Sequence, residues 1–115
     1  MRYCFVLLFA ATPALAEPPV VEAVQAAQSG SGWRFDVTVS HPDTGWEHYA
    51  DGWQVETETG DVLGTRLLAH PHETEQPFTR SLSGMSIPEG ITTVYIRTKC
   101  LVDGWSRETV QYSLK

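Results

Sequence analysis

The clearest pattern in the chain is the run from Trp33 to Ser40, where Trp33, Phe35, Val37 and Val39 alternate with Arg34, Asp36, Thr38 and Ser40. A two-residue period places successive side chains on opposite faces, so this run predicts a strand with one apolar and one polar side. Weaker versions recur along the chain, each bounded by turn chemistry, and no segment carries helical periodicity. Val20 to Ala27 precedes Ser29-Gly30-Ser31-Gly32. Gly52 to Glu58, with Trp53, Val55 and Thr57 inward, is separated by Thr59-Gly60-Asp61 from Val62 to Leu68. Phe78 to Leu82 follows, and Pro88-Glu89-Gly90 leads into Thr92 to Cys100, whose inward set is Val94, Ile96, Thr98 and Cys100. Asp103-Gly104 turns into a last strand where Val110, Tyr112 and Leu114 alternate.

Short strands at this spacing over about 100 residues predict an all-β, seven-stranded antiparallel sandwich of the immunoglobulin or fibronectin type III-like kind. A small closed barrel is the rival architecture. The expected core is Trp33, Phe35, Val37, Val39, Trp53, Val55, Val94, Ile96, Val110 and Tyr112, with Trp33 and Trp53 facing each other across the two sheets.

Residues 1–16 stand outside this pattern. Met1-Arg2, the apolar run from Cys4 to Ala11 and the Ala14-Leu15-Ala16 site have the layout of a signal peptide cleaved before Glu17. The run is well short of the roughly 20 apolar residues that span a bilayer, so no membrane span is expected. This leaves 17–115 as one periplasmic or secreted domain. Eight Lys and Arg face 14 Asp and Glu, a formal charge of −6, and loss of Arg2 makes it one unit more negative. That balance argues against nucleic acid or anionic lipid as a partner. With Cys4 removed, Cys100 is left alone in an oxidising compartment, where a thiol is buried, cross-linked to another molecule or metal-bound.

Strands that reverse direction alternate their connections between two poles. Connections 29–32, 59–61 and 84–91 share one pole and are short and Gly-rich. Connections 41–51, 69–77 and 101–105 share the other. The second pole holds all four histidines (His41, His48, His70 and His72), a set of carboxylates and the rings of Trp46, Tyr49 and Trp105, with Cys100 at its edge. Imidazole and thiolate are the ligands that select copper or zinc. His70 and His72, two apart in extended chain, point to the same side and predict a bidentate clip that His41 or His48 completes. The plain alternative is that these are surface imidazoles. Cys100 shares the parity of Val94 and Ile96, which favours a small buried apolar residue over a ligand. The acidic spacing matches no EF-hand loop.

Trp46, Tyr49 and Trp105 supply a second functional reading, a carbohydrate- or protein-binding surface built on loop aromatics. Their plain alternative is that Trp46 and Tyr49 fold back to cap the sandwich. No nucleophile elbow, phosphate-binding glycine loop or Cys-x-x-Cys appears, so an enzyme is not expected.

The segments Asp43-Thr44-Gly45-Trp46-Glu47-His48-Tyr49-Ala50-Asp51 and His70-Pro71-His72, the latter running into Glu75-Gln76-Pro77-Phe78-Thr79-Arg80-Ser81-Leu82, resemble a family of small, secreted, uncharacterised bacterial proteins. The resemblance covers about the middle half of the chain and fades after Lys99. It implies a similar exported domain and carries no activity and no role for Cys100.

Overall fold

A computed structural model of the protein describes residues 18–30 and 32–114; the expected leader at 1–16 lies outside the described residues. Within them the chain is all-β. The strands run β1 (Val20–Ser29), β2 (Gly32–Ser40), β3 (Ala50–Glu56), β4 (Val62–Leu67), β5 (Phe78–Met85), β6 (Thr93–Cys100), β7 (Gly104–Trp105) and β8 (Val110–Ser113). One sheet has the order β1-β2-β5. The other has the order β4-β3-β6-β7, with β8 also on β6, and every pairing is antiparallel. Among the described residues no hydrogen-bonded strand pair joins the two sheets, which makes the architecture a sandwich and not a barrel.

The alternation in β2 does what its period requires. Phe35, Val37 and Val39 are buried against Trp53, Val55, Val94 and Ile96 of the facing sheet. Removing each such side chain from water stabilises the fold by about 1.5–3 kcal/mol. β3 is covered on both sides. Trp53 and Val55 enter the core, while Glu56 on the outer face is also buried and accepts hydrogen bonds from the Arg97 guanidinium at 2.7 and 3.1 Å and from Gln54 at 2.6 Å. Burial alone would push the Glu56 carboxyl up, but these bonds and the Arg97 charge outweigh it and hold it below the usual range.

Three expectations are corrected. The seventh strand is broken in two: β7 pairs with Lys99 and Cys100, and β8 with Thr93 to Ile96. The break is fixed where Ser106 donates its N–H to Thr98 and accepts from Arg97 through its carbonyl. Val110 is 42 % exposed, because it opens the edge strand just after that break; Tyr112 is half-buried and packs edge-on against Phe35 at 6.0 Å. Trp33 does not meet Trp53. It begins β2 at the Gly-rich pole, half-buried and packed on Phe35 at 6.4 Å, whereas Trp53 is fully buried.

Candidate metal centre

The loop 41–49 leaves β2 and returns as β3, and its geometry is set by a single carboxylate. Asp43 is buried. Its Oδ1 lies 2.7 Å from His41 Nδ1 and accepts the Ala50 N–H at 3.0 Å, and its Oδ2 accepts the His72 N–H at 2.8 Å. A carboxylate only accepts, so His41 carries a proton on Nδ1, which leaves Nε2 as the ring nitrogen not held by Asp43. That Nε2 is buried and has no hydrogen-bond partner.

The chain then reverses between Gly45 and His48, closed by Thr44 N–H to His48 O at 3.0 Å and His48 N–H to Gly45 O at 3.1 Å. Gly45 has φ 140° and a Cβ there would stand 3.0 Å from the Glu47 carboxylate, so glycine is required for the turn. The reversal brings His48 back onto His41, their rings 4.7 Å apart and near perpendicular. His48 Nε2 is likewise buried without a partner.

The third member comes from strand register. β3 opens with Ala50, whose partner on β6 is Cys100, and Leu101 N–H bonds to Tyr49 O at 2.9 Å. Cys100 is fully buried, with Asp103 Oδ2 at 3.9 Å from its sulfur. Burial, followed by the negative charges of Asp103 and Asp51, raises its thiol pKa and outweighs nearby hydrogen bonds that lower it. One donor atom each from His41, His48 and Cys100 lie within 4.8 Å of one another. A trigonal ion with bonds of about 2.0–2.3 Å needs donors roughly 3.5–3.7 Å apart. Side-chain rotations that shift donors by about an ångström therefore close the set on an ion.

All four histidines meet at this pole, as the alternation of connections predicts, but they divide into two pairs. His70 and His72 lie 4.6 Å apart between ring centroids. His72 is buried, stacked on Phe78 at 3.8 Å, and its Nε2 accepts from the Arg80 guanidinium at 2.7 Å. Its proton is therefore on Nδ1, a buried atom with no partner. Burial first, then the charges of Arg80 and His70, lower its pKa. His70 is exposed, with Nδ1 3.1 Å from Pro71 O. Gln76 ties the two loops together, accepting from His41 N–H at 2.9 Å and donating to His72 O at 2.8 Å.

The loop aromatics stand outside this cluster. Trp46 is 66 % exposed and meets half-buried Tyr49 edge-on at 5.7 Å. Trp105 is 39 % exposed, and the Lys99 ammonium, paired with Asp51 at 2.7 Å, lies 5.9 Å from its ring centroid. The plain alternative, in which Trp46 and Tyr49 fold back as caps, is not met at Trp46, while Tyr49 is half-buried.

No protein-family profile matches the chain. Over 83 residues it is 47 % identical to a protein of Halomicrobium mukohataei named "Putative lipoprotein", an alignment covering 72 % of this chain and 40 % of the relative. The chain thus spans well under half the length of that relative. Its structure is similar to the crystal structure of a hypothetical protein from Pyrococcus horikoshii OT3, with a TM-score of 0.52 and 15 % identity over 86 % of this chain and 88 % of the other. That likeness concerns the fold alone.

Proposed function

We propose that this chain is an exported metal-binding domain, periplasmic or secreted, that holds copper or zinc through His41, His48 and Cys100. The observation that carries the reading is the pair of buried Nε2 atoms without partners beside a buried thiol. Buried polar nitrogens ordinarily find a hydrogen bond, and two imidazole Nε2 atoms that lack one, beside a thiol held only by a long 3.9 Å contact to Asp103, together have the donor set of a transition-metal site. Asp43 adds the carboxylate that commonly orients a ligating histidine from behind. Export is supported by the signal-peptide pattern at 1–16 and by the similarity to a protein named as a lipoprotein. His70 and His72, the clip expected from sequence, take an outer position in this reading, because the Nε2 of His72 is engaged by Arg80.

Calorimetric titration of the tag-free exported protein with Cu(II) and Zn(II) tests the proposal. One ion per chain is expected, with binding lost in His48→Ala and Cys100→Ser and retained in the double variant His70→Ala/His72→Ala. Affinity falls as pH falls, since protons compete for the imidazole nitrogens and the thiolate. At about 100 times the dissociation constant the ion adds roughly 2.7 kcal/mol and raises the melting temperature. No saturable heat at micromolar protein would sink the reading. Binding lost only in the His70/His72 double variant would return the site to the sequence-predicted clip.

Exposure of Trp46 and Trp105 on the same pole favours a second role for this surface, docking a glycan or a protein through stacked rings. Ala at both positions is expected to leave the melting temperature within a few degrees, as surface substitutions do, while abolishing retention on the partner. A large drop in melting temperature would instead make the two rings part of the fold's support.

A further inference from the structure

Resting on that metal reading, we infer that the His41–His48–Cys100 site is a three-coordinate site for Cu(I). The number and kind of donors and their burial select the ion. Zinc sites are four-coordinate: structural ones use four protein ligands, and catalytic ones use three and leave an open position for water or substrate. Among the described residues, only His41, His48 and Cys100 have donor atoms all within 4.8 Å of one another; the Asp103 carboxylate lies 3.9 Å from the sulfur but does not join that set. Among the described residues the one methionine, Met85, ends β5 at the opposite pole. Both Nε2 atoms are closed off from solvent and Cys100 is fully buried, so bulk water does not reach the three donors.

A soft d¹⁰ monovalent ion is satisfied by three ligands and prefers thiolate with imidazole. On binding, the Cys100 S–H proton leaves to solvent, and a sulfur–copper bond forms with no change in oxidation state. Asp43 fixes the His41 ring by holding its Nδ1 proton at 2.7 Å, which leaves Nε2 as that ring's ligand atom.

The test is an anaerobic competition of the tag-free exported protein against a chromophoric Cu(I) chelator, run beside a matching Zn(II) competition. We expect one Cu(I) per chain, held roughly a thousandfold or more tighter than Zn(II), as ligand softness dictates. X-ray absorption should report two nitrogen neighbours and one sulfur. Cys100→Ser should weaken Cu(I) binding by about a hundredfold or more, and His48→Ala, at a half-buried position, should weaken it with the melting temperature of the metal-free protein preserved. Zn(II) bound as tightly as Cu(I), or a four-coordinate spectrum, overturns the Cu(I) assignment and leaves the metal reading standing. Cu(I) retained in both variants overturns the assignment of these ligands, and failure of both ions to bind overturns the metal reading itself.

Discussion

Asp43→Ala is expected to lower the stability of the metal-free protein by about 3–5 kcal/mol and to weaken metal binding by a further 10–100-fold. Three N–H groups converge on this one buried carboxylate: His41 Nδ1, the Ala50 amide and the His72 amide. Truncation leaves all of them buried and without an acceptor, and each unsatisfied donor costs about 1–3 kcal/mol before local relaxation. The loss spans three parts of the chain, because the bonds join the start of the 41–49 loop to the first residue of β3 and to the 68–77 connection. Asp43→Asn separates charge from geometry. An amide offers one acceptor oxygen where three donors now share two, so at least one N–H must face an NH₂ group. Its cost should fall between wild type and Ala. Chemical denaturation of the metal-free proteins gives the stability term, and competition titration gives the affinity term. A metal-free Asp43→Ala protein within about 1 kcal/mol of wild type would mean that water replaces the carboxylate and that the pole is looser than its hydrogen bonds imply.

Much of this architecture is legible in the sequence because it depends on local periodicity. The alternation from Trp33 to Ser40 specifies a half-buried strand on its own. Alternating connections place all four histidines at one pole without any knowledge of which strands pair. What is not legible depends on register between strands distant in sequence. Cys100 has the parity of Val94 and Ile96, and an inward side chain at a strand end reads equally well as a small core residue or as a ligand. The pairing of Ala50 with Cys100 places the sulfur beside the 41–49 loop, and no local signal encodes that pairing. The division of the histidines into two pairs was hidden for a similar reason. Residues two apart in His70-Pro71-His72 look like the better chelate, but Arg80 and Phe78, on the following strand, engage the His72 ring. His41 and His48 are seven positions apart, and only the reversal at Gly45 joins them. Turn glycine and flanking histidines were the signal available for that pair. Val110 is in register with Ile96 on β6 but has no strand on its other side: alternation assigns a face, and an edge position past a break leaves that face uncovered.

Val37→Asp is expected to unfold the domain. Val37 is fully buried on β2, the central strand of its sheet, flanked by Val24 of β1 and Arg80 of β5 in register. Its side chain shares the inner face with Phe35 and Val39, across from the sheet that carries Trp53 and Ile96. The Arg80 guanidinium opposite is already engaged by His72 and the Thr79 carbonyl, so a carboxylate in such a core costs several kcal/mol, against a total stability of roughly 5–15 kcal/mol for a domain of this size. Relief by neutralisation is partial, because a protonated carboxyl still lacks a hydrogen-bond partner there. Thr38→Asp is the control. It adds the same charge one residue along, on the polar face, where Thr38 Oγ1 lies 2.7 Å from Thr79 Oγ1 among exposed groups. Loss of that bond costs about 0.5–1.5 kcal/mol. Circular dichroism and thermal melts of the two variants therefore measure which face of β2 is inside, since a one-residue slip in register exchanges the faces. A cooperative melt near the wild-type temperature for Val37→Asp, with Thr38→Asp unfolded, would require β2 to be turned over and would detach Ser40 and the 41–49 loop from the positions that assemble His41, His48 and Cys100.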